Sequence, residues 1–167
     1  PDFENPEDSD SNNEYLINVI VYDGYESASD SVVINVINVN EAPSITAINS
    51  SSPESGFNEV SVAEAQTSAF SVTATDPDSD DLSLTLSGAD SDLFSVSSSG
   101  VVTFDSAPDY EVPTDSDGDG VYVVTVTASD GSLSDSVATR VTVTDAQEIA
   151  SGVLIDGYLA GSTVFQD

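Results

Sequence analysis

The chain has 167 residues, with 31 aspartate and glutamate side chains against one basic side chain, Arg140, and a formal net charge of −30. Because Lys, His and Cys are absent, it cannot form a Ser-His-Asp or Cys-His nucleophile, a Schiff-base lysine, a His/Cys zinc site or a disulfide scaffold. The charge disfavours nucleic acid and anionic membranes as partners, whereas a hydrophobic fraction of 38% predicts a folded protein rather than an acidic disordered tail.

Two parts of the sequence repeat each other at a constant offset of 107 residues (109 minus 2). Asp2-Phe3-Glu4 returns as Asp109-Tyr110-Glu111, and Asp23-Gly24 returns as Asp130-Gly131. A unit of about this size is typical of a β-sandwich module rather than of a short solenoid repeat. We therefore expect three regions: residues 1–40 as the C-terminal part of one module, residues 41–148 as a complete module, and residues 149–167 as the opening strands of a further β domain.

Alternating apolar and polar residues predict β-strands in both copies, and no stretch of about ten residues matches a helical period. The expected inward side chains of the first copy are Tyr15, Ile17, Val19, Val21, Ile34 and Val36. The strands predicted in the complete module are about 59–63, 67–75, 82–87, 93–96, 100–105, 121–129 and 133–144. The predicted fold class is all-β, with seven-stranded Greek-key immunoglobulin-like sandwich modules in tandem.

The first copy by itself is too small to bury its apolar side chains. A two-stranded fragment is at best marginally stable in water. We therefore expect either the parent chain or another copy of it to supply the missing strands. The chain starts at Pro1, has no signal peptide and has no apolar run that could span a bilayer, so we expect it to be a piece of a longer protein.

Acidic residues collect at predicted strand ends and in linkers rather than along the strands. Hard cations such as calcium take six to eight oxygen ligands from carboxylates, amides and backbone carbonyls. The sequence offers five groups of this kind: Asp2 and Glu4; Asn38, Asn40 and Glu41; Asp76 and Asp78; Asp109 and Glu111; and Asp130.

In order and spacing, these groups resemble the calcium-binding motifs of the cadherin repeat from residue 2 to about residue 148. The matching segments are Asp2-Phe3-Glu4 and Asp109-Tyr110-Glu111 (Asp-x-Glu), Val62-Ala63-Glu64 (the glutamate near the end of the first strand), Asp76-Pro77-Asp78 (Asp-x-Asp), Asn38-Val39-Asn40-Glu41-Ala42-Pro43 (the linker, in the form common in bacterial cadherin-like repeats) and Asp130. The resemblance implies a cadherin-type sandwich that holds calcium between successive modules.

The resemblance also implies which residues would bind calcium at each end of the complete module. At the first junction they are Asp2, Glu4, Asn38, the Val39 carbonyl, Asn40, Glu41, Asp76, Asp78 and Asp130. At the second they are Glu64, Asp109, Glu111, Asp145 and Glu148, a reduced set because the linker there lacks the Asn and Pro residues.

A further acidic group, Asp115, Asp117 and Asp119 followed by Gly120, has the spacing that opens an EF-hand loop. The twelfth position is Val126 rather than Glu and no helices flank it, so the group is not an EF-hand. A hairpin-loop calcium site and a plain acidic turn both remain open. Turn chemistry is the expected role of Asp30, Asp90, Asp92 and Asp135.

The resemblance implies a calcium-rigidified module of a large, secreted bacterial adhesin or surface fibre, located outside the cell. Residues 151–167 resemble, less specifically, the opening of a repeat found beside such modules. The expected partners are neighbouring modules or other copies, together with a cell-surface or polysaccharide ligand, and no enzymatic activity is expected. Two alternatives remain: a carbohydrate-binding module, and a filament subunit in which the ends of different chains complete one another by strand addition.

Overall fold

The computed structural model describes residues 1–146, and the expectations for Glu148 and for 149–167 lie outside these residues. Within the described part the protein is all-β, apart from a short 3-10 turn at Ser91–Leu93. The strands are β1 (Glu14–Tyr22), β2 (Ser27–Asn35), β3 (Ser44–Ile48), β4 (Phe57–Ala63), β5 (Ser68–Thr75), β6 (Ser83–Ser87), β7 (Phe94–Val96), β8 (Val101–Phe104), β9 (Val121–Ser129) and β10 (Ser134–Thr144).

Strands β3 to β10 form two four-stranded sheets, in the orders β4-β10-β9-β6 and β3-β5-β8-β7. Strand β4 pairs with β10 in parallel, and the other strand pairs of the two sheets are antiparallel. The predicted immunoglobulin-like sandwich is confirmed, and all seven predicted strands form within two residues of their expected ends. An eighth strand, β3, was not predicted: the first strand of the module is split, so that β3 joins one sheet and β4 the other.

The core lies between the two sheets and is filled by every second side chain of the strands. Its aromatic centre is formed by Phe94, Phe104 and Tyr122, with ring centroids 4.3 Å apart for the two phenylalanines and 5.1 Å apart for Phe104 and Tyr122. Val124, Val126 and the other inward residues of β9 are fully buried. Burial of this alternating apolar face is the main stabilising term of such a sandwich.

Two aspartates that we expected to serve only as turn formers hold the sandwich together. Asp90 is 3% exposed and accepts hydrogen bonds from the backbone N–H groups of Ser116 (2.7 Å) and Val123 (2.6 Å). Asp135 accepts one from the N–H of Ile45 (2.8 Å), which ties β3 to the start of β10. Their partners are distant in sequence, so the local turn pattern could not reveal these roles.

Strands β1 and β2 form a separate hairpin ahead of the linker 36–43. Their register, with Tyr15 opposite Ile34, repeats that of β9 and β10, where Tyr122 lies opposite Val141. The hairpin contributes no strand to either sheet of the sandwich, and its apolar side chains are largely exposed.

Candidate metal centre

Three separate segments meet where the hairpin joins the sandwich. Glu4 comes from the loop before β1, Glu41 from the linker and Asp78 from the loop between β5 and β6. Carboxylate oxygens of these three residues all lie within 4.8 Å of one another. This convergence of like charges from distant parts of the sequence is the central feature of the candidate site.

Hydrogen bonds hold the linker against the loops of the sandwich. The side-chain amide of Asn40 donates to Asp130 Oδ2 at 2.8 Å, and the backbone N–H of Glu41 donates to Asp78 Oδ2, also at 2.8 Å. Asp130 Oδ1 in turn accepts from the N–H of Leu133 at 2.6 Å in the turn after β9. The linker side of the site is therefore positioned by the sandwich itself.

The loop after β5 supplies a second group of carboxylates. Oxygens of Asp76, Asp78 and Asp80 lie within 4.8 Å of one another. The chain turns back at Ser79, whose φ of 64° is in the left-handed region, and this turn brings Asp80 beside the other two. Asp80 was missed in the sequence analysis, although its spacing of two from Asp78 continues the pattern of Asp76 and Asp78.

The crowded carboxylates perturb one another's ionisation. Reduced hydration raises the pKa of Glu41, and the charges of Glu4 and Asp78 raise it further. The pKa of Glu4 is also raised, first by reduced hydration and then by the charge of Asp78. In contrast, the backbone N–H of Glu41 and the side chain of Asn38 lower the pKa of Asp78.

The residues at this junction fit a hard divalent cation. Two carboxylate oxygens, Asp76 Oδ2 and Asp78 Oδ1, are buried and have no hydrogen-bond partner among the described residues. The single arginine cannot neutralise them because Arg140 contacts Glu59 (3.3 Å) and the ring of Phe57. Buried carboxylate oxygens without donors are costly, and an all-oxygen donor set is the kind that calcium prefers.

The opposite end of the sandwich carries a smaller acidic cluster. Oxygens of Glu64, Glu111 and Asp145 lie within 4.8 Å of one another. Glu64 is 4% exposed, and its carboxylate accepts from the N–H groups of Ala146 (2.8 Å) and Tyr110 (2.9 Å). These two bonds, the Ala146 bond first, lower the pKa of Glu64.

Asp109 shapes the turn beside this second cluster and repeats the role that Asp2 has near the first. Its Oδ1 accepts from the N–H groups of Glu111 (3.0 Å) and Val112 (3.1 Å). Asp2 accepts in the same way from Glu4 and Asn5, both at 3.1 Å. The charge of Asp2 also contributes to the raised pKa of Glu4.

The third predicted cluster, Asp115, Asp117 and Asp119, also has oxygens within 4.8 Å of one another. Both oxygens of Asp115 are occupied by backbone donors, since Oδ2 accepts from Asp119 N–H (2.9 Å) and Oδ1 from Gly120 N–H (3.0 Å). The shape of this loop is therefore accounted for by hydrogen bonds within it.

No family model matches the chain, and no curated protein matches it. Solved structures do. Human protocadherin-24 EC1-2 (form II) is 18% identical over 87% of this chain and 70% of that one, with a TM-score of 0.59. Mouse cadherin-23 EC22-24 is 24% identical over 83% and 44% of the two chains (TM-score 0.57), and Drosophila N-cadherin EC1-3 is 21% identical over 80% and 44% (TM-score 0.51).

The chain contains a cadherin-like module. The match with this chain covers less than half the length of the cadherin-23 and N-cadherin chains, 44% in each case. At these identities the likeness establishes the fold. No helix long and apolar enough to cross a membrane occurs in residues 1–146.

The loops of the hairpin, the linker and the cadherin-like module bring together most of the residues that we predicted for the first junction. Glu4, Glu41 and Asp78 share one cluster, and Asp76 lies beside Asp78. Asn40 contacts Asp130 directly. The side chain of Val39 is exposed. For the second junction, the predicted residues Glu64, Glu111 and Asp145 meet, whereas Glu148 lies outside the described part of the chain.

Proposed function

We propose that this chain is a calcium-rigidified module of an extracellular adhesin or surface fibre, with a structural role. The observation that carries the proposal is the convergence of Glu4, Glu41 and Asp78 at the junction between hairpin and sandwich. The cadherin fold, found in ectodomain structures of cadherins and protocadherins, supports an extracellular adhesive setting.

The proposed calcium ligands at this junction come from both sides of it. The hairpin and linker contribute Asp2, Glu4, Asn38, the Val39 carbonyl, Asn40 and Glu41, and the sandwich contributes Asp76, Asp78 and Asp130. Bound calcium would supply positive charge to the carboxylates and to the two buried oxygens that lack donors. Extracellular calcium modules bind with dissociation constants of about 0.1–1 mM, and we expect this range here.

The mechanism is mechanical. Like-charged carboxylates at this separation repel one another, so the ionised junction is pushed apart without a cation. The loop that carries Glu4 belongs to the hairpin, whereas Asp78 belongs to the sandwich. Neutralising the charge between them would therefore join the two parts and stiffen the linker.

The far end of the module is proposed as a second, weaker calcium site. It would use Glu64, Asp109, Glu111, Asp145 and Glu148. Weaker binding is expected because two oxygens of Glu64 already accept backbone hydrogen bonds. The Asp115, Asp117 and Asp119 loop is a third candidate, where binding would have to compete with the loop's own hydrogen bonds.

A calcium titration by calorimetry, combined with thermal melting in calcium and in chelator, tests this function. We expect saturable binding of more than one ion and a higher melting temperature in calcium. A concentration of about 100 times the dissociation constant stabilises the bound form by about 2.7 kcal/mol per site. If calcium neither binds nor changes the melting temperature, the proposed mechanism is wrong.

A matched pair of variants locates the site. Glu41→Gln removes a charge from the junction, whereas Glu26→Gln removes one from the exposed hairpin turn. Small-angle scattering with and without calcium then measures stiffness directly. We expect calcium to extend the chain and narrow its range of shapes in the wild type and in the Glu26 variant, and to do so less in the Glu41 variant.

A further inference from the structure

The outer side of the hairpin β1–β2 carries an exposed apolar stripe. The second hairpin identifies which side this is, because alternate residues of β9, from Tyr122 to Ala128, are buried in the core and the residues between them are not. At the 107-residue offset, the outward positions of β1 include Leu16, Ile20 and Tyr22. These side chains are 64%, 67% and 66% exposed and lie on one side of a single strand.

The second hairpin shows that the fold does not require this stripe. Thr127 occupies the position that Ile20 has in the first hairpin. Ser129 occupies the position of Tyr22. The same strands therefore form with hydroxyl side chains at these places. A contiguous exposed apolar patch that packing does not explain is typical of a binding surface.

A row of hydroxyl groups runs along β2 beside the apolar stripe. The register places serine side chains directly opposite Ile20 and Tyr22. The next pair along is Asn18 and Ser31, and Ser31 Oγ donates to Asn18 Oδ1 at 2.7 Å. This bond uses the amide oxygen and orients the Asn18 side chain, whose NH2 group is a further donor. Apolar contacts and hydrogen-bonding groups thus lie side by side on the two strands.

A second tyrosine lies at one end of the stripe, in the turn between β1 and β2. Asp23 Oδ1 accepts from the N–H groups of Tyr25 and Glu26, both at 2.8 Å, and these bonds fix the turn. The Tyr25 side chain is 93% exposed. Tyr22 and Tyr25 therefore present two accessible aromatic rings at the same end of the hairpin.

Charged side chains are absent from the outer face, by which we mean the outward residues of 16–22 and their partners in 27–33. The chain as a whole has 31 acidic side chains and a formal net charge of −30. This net charge repels anionic partners, and the outer face itself offers no charge for an ionic ligand to pair with. Its chemistry suits an uncharged ligand with both apolar and hydroxyl-rich surfaces.

We propose that the outer face is a binding site for an extended, uncharged polysaccharide. The C–H faces of a sugar ring are apolar and stack on aromatic and aliphatic side chains, here Ile20 and Tyr22. The hydroxyl groups at the ring edge pair with hydroxyl and amide groups, here the serine row and Asn18. An apolar surface with a few placed polar groups is the usual composition of a ligand site. The proposal is independent of calcium.

A protein partner fits the outer face less well than a polysaccharide does. Seven residues on each of two adjacent strands present an area of only about 230 Å², well below the roughly 800 Å² per partner of a stable protein interface. A second copy of this chain would also bring its own charge of −30. A polysaccharide is one sugar wide, so a narrow strip along two strands is sufficient for it.

A disulfide that joins the far ends of β1 and β2 keeps the hairpin closed during the test. Glu14 and Asn35 lie opposite each other, and the adjacent pair, Asn13 and Val36, shares a backbone hydrogen bond. Glu14 and Asn35 are therefore a non-hydrogen-bonded pair, whose spacing suits a disulfide. Because the chain has no cysteine, Glu14→Cys with Asn35→Cys gives one defined disulfide outside the outer face.

Side-chain NMR of the whole chain, with and without this disulfide, tests the proposal. The probes are four uncharged β-1,4-linked hexasaccharides, of glucose, mannose, xylose and N-acetylglucosamine. We expect at least one of them to shift the signals of Leu16, Ile20 and Tyr22 saturably and to leave those of Ile17 and Val19, on the other side of β1, unchanged. The result should be the same in calcium and in chelator. Hexagalacturonate, an anionic hexasaccharide, should shift none of these signals.

Matched variants of the disulfide form assign the binding to the outer face. Ile20→Thr and Tyr22→Ser introduce the residues that the second hairpin has at the equivalent positions, so both are compatible with the fold. Each should weaken binding of the sugar by about tenfold. Val101→Thr makes the same kind of change at an exposed residue of β8 and should leave the affinity unchanged.

The proposal is overturned if none of the four hexasaccharides shifts the outer-face signals of the disulfide form. It is also overturned if Ile20→Thr and Tyr22→Ser bind the sugar as tightly as the unchanged face. Outer-face signals that shift with protein concentration alone, together with dimers in light scattering, would assign the face to a second copy instead.

Discussion

Asn40 donates a 2.8 Å hydrogen bond from its side chain to the carboxylate of Asp130, a residue 90 positions later in the sequence. This bond fixes the linker against the turn that follows β9. The bond from Glu41 N–H to Asp78 fixes the linker at a second point. The position of the loop that carries Glu4 therefore depends most on neutralising the charge of the junction. Removing Asp130 or Asp78 from the sandwich side should therefore release the linker as well as weaken calcium binding.

Asp78→Ala should weaken calcium binding at the first junction by about tenfold or more, a change of about 1.4 kcal/mol. Asp78 shares one cluster with Glu4 and Glu41 and another with Asp76 and Asp80, so its loss affects both. Calorimetric titration measures the effect. Asp81→Ala, at an exposed neighbouring residue, is the control. Equal calcium affinities of the two variants would contradict the assignment of Asp78 as a ligand.

Calcium binding should weaken as the pH falls, starting at a higher pH than it would with ordinary glutamate ligands. The pKa values of Glu4 and Glu41 are raised above 4.5, so these groups take up protons at a higher pH than ordinary glutamates do. Without calcium, lowering the pH should instead stabilise the folded junction, because protonation relieves the repulsion between its carboxylates. Titrations at several pH values measure the proton linkage, which should be smaller in Glu41→Gln.

Glu64→Gln should lower the melting temperature of the module even in chelator. The Glu64 carboxylate accepts two backbone hydrogen bonds, which lower its pKa, so its stabilising effect is present above pH 4.5 and lost as the pH falls through the lower folded-state pKa. Melting as a function of pH checks this. Glu54→Gln, at an exposed position, should leave the melting curve unchanged. If Glu64→Gln also melts like the wild type, the stabilising role of Glu64 is refuted.

Asp90→Ala should destabilise the sandwich by about 3 kcal/mol, because it removes two hydrogen bonds to a charged acceptor and leaves two backbone donors without a partner. Urea denaturation provides the free energy of unfolding. Asp92→Ala, two residues away and exposed, serves as the matched control. A loss below about 0.5 kcal/mol would indicate that water replaces the carboxylate.

Thr139→Val should stabilise the sandwich by about 1 kcal/mol. The Thr139 side chain is fully buried, and its hydroxyl has no hydrogen-bond partner among the described residues. An unsatisfied buried hydroxyl is costly, and the repeat already places valine at the equivalent position, Val32. Urea denaturation would show a higher midpoint with an unchanged slope if the prediction is correct.

Strand positions could be predicted from the sequence because alternation with period two is a local property. The split first strand could not. Strand β3 has only five residues, and its place in the other sheet is set by pairing with β5 and by the bond from Ile45 N–H to Asp135. These contacts join residues far apart in the chain, and no local pattern encodes them.

The same division applies to the candidate site. The sequence by itself determined the repeat, the sandwich fold and the acidic motifs, because each rests on spacing along the chain. Only the tertiary structure decided that Glu4, Glu41 and Asp78 meet, that the turn at Ser79 adds Asp80, and that Asp90 is a buried anchor. Distances between side chains depend on how loops from different strands converge, and that convergence is fixed by packing of the whole sandwich.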